Sequence, residues 1–403
     1  MQKPQEYQNS RQSYINLALA TMAFGVAFTA WGLVSPIASQ IQKDLGLDNT
    51  ATSVLIAVPV LLGSLLRIPM GIMTDRFGGR RMFTGLLLFT LLPVAFMGLA
   101  DSFWTYVLGG LFLGAAGASF AIGVPFVNRW FSPDKQGLAL GIYGIGTIGS
   151  AAAAFSMPPL VNALGGRQNA FWFYLIPVGL MAAIFWMLAR DAPGLAQPKS
   201  LGDSLVLLKS EKMVWLLSLF YFLTFGGFVA MANYLPKLLV DWFQIDKGDA
   251  GLRAAGFTVV ATLARPIGGW LADKVGGGSV LGAVFALGPL GALGLAWLAG
   301  SPEMTLATVL VLTTAVGLGL GNGAVFKLVA QYYPKNTGLV TGIVGCAGGL
   351  GGFFPPLLLG FVKDATGTYA MGFVLLAVFA LLCLATLIIT NRTKPATTAN
   401  ATR

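Results

Sequence analysis

The chain has 403 residues, 56% of them hydrophobic and only 10% charged, with 53 glycines, two cysteines, no histidine and a mean hydropathy of +0.76. Soluble domains carry roughly 25% charged residues, so this chain lacks the polar coat a water-facing surface needs, and apolar bulk with abundant glycine points to packed membrane helices. The missing histidine excludes Ser-His-Asp and Cys-His pairs and every histidine metal site; Cys346 and Cys383, far apart in apolar runs, suggest neither a disulfide framework nor a metal cluster.

A membrane-crossing helix needs roughly 20 mostly apolar residues. Runs of that kind occur in chain order at 14–37, 52–74, 82–100, 103–128, 137–161, 169–189, 213–238, 252–272, 279–299, 304–328, 337–361 and 369–390, which predicts twelve spans. Short polar connectors separate them except between Arg190 and Lys212, where Pro193, Pro198 and seven charges mark a linker. The expected organisation is a six-helix bundle over 1–190, a cytoplasmic linker over 191–212, and a second six-helix bundle with a short tail over 213–403. The polar first 13 residues, followed by a span too long for a signal-peptide core, predict no cleaved leader.

Lysines and arginines number sixteen on the side holding both termini and six on the other. By the positive-inside rule both termini are expected to be cytoplasmic, in a multi-pass protein of the plasma membrane. The fifteen acidic residues all fall outside the spans, whereas Arg67, Arg265 and Lys327 fall inside them. The net charge of +10 is thus a topology signal plus three buried cations, and it implies no nucleic-acid partner.

The halves repeat each other. RIPMGIMTDRFGG (67–79) aligns with RPIGGWLADKVGG (265–277) at an offset of 198, and FSPDKQG (131–137) with YYPKNTG (332–338) at 201. GIYG (141–144) then matches GIVG (342–345), and Pro158-Pro159 recurs as Pro355-Pro356. Four matches in order indicate two homologous bundles with pseudo-twofold symmetry, the parallel-repeat plan that supports alternating access around a site at their interface.

The segment Gly71 to Arg81 closely resembles the signature loop between spans 2 and 3 of the major facilitator superfamily, and Gly269 to Gly276 is a weaker copy without the trailing arginines. Asp75 is placed to cap a neighbouring helix N-terminus, or to pair with a basic residue across the half interface, and so to latch one conformational state. Asp273 is its repeat; Arg76 and Arg80 join the expected gate unless they, with Arg81, merely obey the positive-inside rule.

Arg67 lies eight residues before Asp75 and Arg265 eight before Asp273. Eight helical residues are about 12 Å, which puts both arginines near the middle of a core about 30 Å thick. The repeat predicts that they face each other at one depth. A mid-membrane arginine costs at least about 2.5–3.5 kcal/mol, and no carboxylate within the spans offsets it. Water, carbonyl oxygens or a transported anion must compensate, and the forked guanidinium matches oxyanion geometry. Lys327, nearer the end of span 10, is within snorkelling reach of the interface or of a loop partner, and could also draw anions or take part in coupling.

Spans 5 and 11 are striped with glycine, including Gly144 in the first and Gly345, Gly348 and Gly349 in the second. Such stripes admit a neighbouring helix, or an anion seeking backbone N–H groups. These segments, with the two arginines, resemble the nitrate/nitrite porter family of the major facilitator superfamily over essentially the whole chain, and the runs around Arg67, Arg265 and Lys327 are similar to bacillar nitrite-extrusion members. The resemblance implies an all-α integral membrane protein with the twelve-helix fold, in which Arg67 and Arg265 bind the anion. It also implies that Tyr221 and Phe225 of span 7 line the site, with Phe120 as the matching ring of the first half. The family usually has asparagine where this sequence has Thr147, which donates one hydrogen bond but lacks an amide's paired groups; the departure bears on how the site discriminates nitrate from nitrite.

The expected function is secondary transport of nitrate, nitrite or both by alternating access, by a monomer without cofactor or metal. With no intramembrane carboxylate and no histidine there is no ordinary proton carrier, which favours exchange over proton symport. An exchanger of small organic anions such as oxalate or formate is the nearest rival, and an anion channel or transporter-like sensor the rival from another class. No catalytic dyad, metal set or phosphate-binding loop argues for an enzyme.

Overall fold

The computed structural model describes residues 8–193 and 211–392; the segments 1–7 and 393–403 and the greater part of the expected linker, 194–210, lie outside the described residues. Among the described residues there is no strand, and every anticipated run becomes a helix. In the first half these are α1 (Arg11–Trp31), α2 (Asn49–Leu65 continued by Arg67–Phe77), α3 (Gly79–Met97), α4 (Phe103–Asn128), α5 (Gln136–Ala163) and α6 (Arg167–Leu188). In the second they are α7 (Lys212–Phe243), α8 (Lys247–Val275), α9 (Gly277–Leu298), α10 (Met304–Tyr332), α11 (Thr337–Thr366) and α12 (Ala370–Arg392).

Among the described residues, eleven helices are long and apolar enough to cross a bilayer. The remaining span, α8, is diluted by Lys247, Asp249, Arg253, Arg265, Asp273 and Lys274, yet it runs for 29 residues and packs against α10 and α5. The burial pattern suits lipid: Leu92, Ile176, Leu287 and Ile389, each more than 60% exposed, lie on the perimeter, where acyl chains rather than water would meet them.

Three local features depart from the sequence expectation. A short helix, Ala38–Leu45, sits between α1 and α2; Ile41 turns inward, Lys43 and Asp44 stay exposed, and Asp44 pairs with Arg167 at 2.7 Å. Gly46, at φ 63, ends it. The spans α4 and α5 are not uniform α-helices but tighten into 3-10 turns at Gly114–Ala118 and Ile145–Ile148. Asp75 and Asp273, expected in connectors, lie inside the last turns of α2 and α8.

The halves meet along two crossings, α2 on α11 and α5 on α8. Glycine makes both possible. A Cβ at Gly141 would fall 2.7 Å from the Arg265 carbonyl oxygen, and one at Gly342 2.5 Å from that of Arg67; Gly71 against Gly338 and Gly137 against Gly269 are closer still. The two crossings therefore run backbone to backbone from the face where α1 begins and α12 ends up to the level of the arginines. Any side chain there is a wedge. Gly338→Leu is expected to pry α2 from α11 and lengthen the distance between spin labels at Lys135→Cys and Lys335→Cys, on exposed loops of opposite halves.

Candidate functional site

Arg67 opens the second segment of α2, and Arg265 lies in α8; they are 3% and 2% exposed. Their guanidinium carbons stand 5.2 and 5.4 Å from the centroid of one ring, Phe225, so the repeat does bring the two cations to one place. Such contacts are worth about 0.5–2 kcal/mol each. Phe120 adds a second face for Arg67 at 6.0 Å and Phe228 one for Arg265 at 5.0 Å. Tyr221 stacks on Phe225 (5.0 Å) and on Phe120 (6.2 Å), which joins the aromatic groups of the two halves into one wall.

The arginines are held by carbonyls. Arg67 donates through Nε to Gly117 (3.2 Å) and through Nη1 to Gly345 on α11 (2.6 Å); Arg265 donates through Nη1 to Gly144 on α5 (3.3 Å). Each thus reaches across the half interface, and two of the three carbonyls belong to or border the 3-10 turns, where altered winding presents backbone oxygen to a side chain. Arg265 Nε and Nη2 remain buried without a hydrogen-bond partner. No carboxylate pairs with either arginine among the described residues.

The glycines serve close approach. Within continuous α11 the N–H groups are committed to the helix, so Gly345, Gly348 and Gly349 do not present free donors to an anion. Instead a Cβ would meet Arg67 Cδ at Gly345 (3.1 Å) and Arg265 Cδ at Gly144 (3.1 Å), and would overlap Tyr221 at Gly348 and Ser64 at Gly349. Thr147, 1% exposed, donates to Gly144 O (2.9 Å) and lies 3.3 Å from the Thr262 hydroxyl, so it shares the carbonyl that Arg265 uses.

Toward the face where α1 begins and α12 ends, two carboxylates close the bundle. Asp75 accepts from the backbone N–H of Leu339 at the start of α11 (3.1 Å) and pairs with Arg129 (2.9 Å). Asp273 accepts from Gly137 N (2.9 Å) and Leu138 N (2.8 Å) at the start of α5 and pairs with Lys327 (2.7 Å). Each acid therefore caps a helix of the opposite half while its cation comes from its own half.

A family model, the Major Facilitator Superfamily, matches residues 20–354 and 239–403. The chain is 43% identical over 370 residues to a nitrite extrusion protein of Bacillus subtilis, covering 92% of each chain, and 40% identical over 394 residues to a probable nitrate transporter of Staphylococcus epidermidis, covering 96% of this chain and 99% of the relative. The chain belongs to the major facilitator superfamily, in its nitrate/nitrite porter family. Solved structures agree on the fold: a proton:xylose symporter superposes with a TM-score of 0.78 at 14% identity, covering 96% of this chain and 97% of that one, and the human organic anion transporter MFSD10 with 0.77 at 16%, covering 93% and 99%. The family is one of transporters, not enzymes.

In this porter, three residues expected at the gate need correction or sharpening. Arg76 is exposed, with its guanidinium over Phe77 at 5.2 Å. Arg80 donates to the Trp186 carbonyl, stacks on that indole at 4.5 Å and donates its backbone N–H to Asp191 just beyond α6, so neither arginine bridges the halves. The reason is direction: α3 starts on the flank of α6, away from the α2–α11 crossing. Lys327 does not snorkel to water; it is 8% exposed, pairs with Asp273 and donates to the Pro133 carbonyl of the other half.

Phe228, Phe326 and Thr262 were not read as site residues from the sequence. Phe326 packs edge-on against Phe120 (4.6 Å) and Tyr221 (4.7 Å). The available signals were Phe228 three residues beyond Phe225 and Phe326 beside Lys327. Charged caps of this partly buried kind are worth up to about 2 kcal/mol each. Asp75→Ala combined with Asp273→Ala is expected to shift the population away from this closed arrangement, read as a longer distance between the same two spin labels, with each single variant giving an intermediate shift.

Proposed function

We propose that the chain carries nitrate and nitrite across the plasma membrane by alternating access, as an exchanger, with Arg67 and Arg265 as the anion ligands. One observation carries this reading: two buried guanidinium groups share the Phe225 ring, have no carboxylate partner among the described residues, and Arg265 leaves two donors unused. A small planar anion between the forks would accept charge-assisted hydrogen bonds from both halves, with the Phe120, Tyr221 and Phe225 rings forming a flat wall beside it. The relatives' names, which include nitrite extrusion and nitrate or nitrate/nitrite transport, support the choice of anion.

The mechanism follows from which bonds cross the interface. The Arg67–Gly345 and Arg265–Gly144 bonds tie each arginine to the other half, as do the Asp75 and Asp273 caps. An anion would replace carbonyl oxygen as the acceptor and offset one of the two like charges, which frees the halves to rock. Opening the face that these caps close, cytoplasmic by charge distribution, requires the two aspartates to release α11 and α5. An empty site keeps two cations facing each other, so reorientation is favoured when loaded, and exchange results. The working unit is a monomer with one pathway between its halves.

Arg67→Ala and Arg265→Ala are each expected to lower nitrate transport at least a hundredfold, since each removes two or more charge-assisted bonds of about 1.5–3 kcal/mol. Lysine at either site keeps the charge but loses the fork, and is expected to restore little. In proteoliposomes, labelled nitrate should enter vesicles loaded with nitrite or nitrate but not with an inert anion, and should ignore an imposed pH gradient. Uptake into inert-anion vesicles driven by an inward proton gradient would identify symport instead. Flux without saturation or counterflow would identify a channel, and no flux of either anion would move the reading to small organic anions.

A further inference from the structure

Asn322 lies in α10, 3% exposed, and both its amide nitrogen and its amide oxygen are buried without a hydrogen-bond partner. Leaving a buried polar group unpaired costs roughly 1–3 kcal/mol, and here two such atoms sit on one side chain. Its position accounts for them. Phe326, one helical turn away on the same face, packs against Tyr221 and Phe120. The helices α7 and α10 run in opposite directions, so the step from Phe326 to Asn322 parallels the step from Tyr221 to Phe225. Asn322 therefore stands at the depth of Phe225, the ring that both guanidinium groups share. Its neighbour Gly323 lies so close to α8 that a Cβ there would overlap the Arg265 carbonyl oxygen. The unused donors of Arg265, Nε and Nη2, and the unused amide of Asn322 belong to the same half and the same level.

We propose that Asn322 is a third anion ligand and the residue that favours nitrate over nitrite. Nitrate is planar with three equivalent oxygens about 120° apart, and nitrite has two. The Arg67 and Arg265 forks engage two oxygens from opposite halves, and the Asn322 Nδ2–H donates to the third, which nitrite lacks. The inference rests on the nitrate/nitrite reading of the arginine pair.

The test is thermal stabilisation of the purified full chain by sodium nitrate and by sodium nitrite, titrated separately against sodium gluconate, for the unmodified protein and for Asn322→Leu and Asn322→Ala. Leucine keeps the branched four-atom skeleton, with larger methyl ends, and removes both unpaired groups, so its anion-free melting temperature is expected to equal or exceed that of the unmodified protein. The concentration of nitrate needed for half-maximal stabilisation is expected to rise about tenfold in both variants, and that of nitrite to change less than twofold. Equal losses for the two anions, or no loss for either, would overturn the proposal while leaving the arginine site intact. A lower anion-free melting temperature with nitrate stabilisation preserved would assign Asn322 to the fold instead, as would failure of both variants to yield folded protein. If neither anion stabilises the unmodified chain, the nitrate/nitrite reading and this proposal fall together.

Discussion

The burial of two guanidinium groups without a carboxylate governs the rest of this structure. A mid-membrane arginine is expensive, and the chain bears that cost at Arg67 and again at Arg265. Carbonyl oxygens of Gly117, Gly144 and Gly345 offset part of it, and the faces of Phe120, Phe225 and Phe228 a further part. What remains is incomplete satisfaction of Arg265, whose Nε and Nη2 are buried without a partner. A carboxylate at this depth would neutralise an arginine permanently. Carbonyls hold it weakly enough for a mobile anion to compete, which is the basis of the proposed transport.

That constraint explains the glycines. For an arginine to lie along the backbone of the opposite half, the crossing must have no side chains in the way, and Gly144 and Gly345 clear the space beside each Cδ. Gly141 and Gly342 let the same helices approach within backbone contact one turn earlier, and Gly71, Gly137, Gly269 and Gly338 continue the contact to the gate. The 3-10 turns of α4 and α5 fit the same scheme, because the carbonyls of Gly117 and Gly144 lie within or beside them and turn toward the arginines. The corresponding helices of the second half, α10 and α11, stay α-helical, so the repeat is broken where the first half supplies irregular backbone.

The gate shows the same partial symmetry. Asp75 and Asp273 cap equivalent helices, yet their cations come from different registers: Arg129 lies near the end of α4, and Lys327 is set further from the end of α10. Lys327 also reaches the Pro133 carbonyl of the opposite half, a contact with no counterpart among the bonds of Arg129. The two latches are therefore chemically distinct.

The sequence by itself determined the membrane environment, the twelve spans, the internal repeat, and the depth and pairing of Arg67 and Arg265. These depend on hydrophobic run length and on spacing within a helix, both of which are local and periodic. It offered Asp75 as a cap for a neighbouring helix or as one partner of an ion pair across the halves, and the structure alone put the capped helix in the other half and the cation in its own. Tertiary structure alone decided which carbonyls receive the arginines, that Thr147 turns to Gly144 and Thr262, that Arg80 serves α6 rather than the gate, and that Lys327 is paired rather than snorkelled. It alone brought Phe228 and Phe326 to the level of the site. Those outcomes depend on the rotation of each helix about its own axis, which an apolar sequence flanked by lipid on one side and protein on the other does not encode in any period.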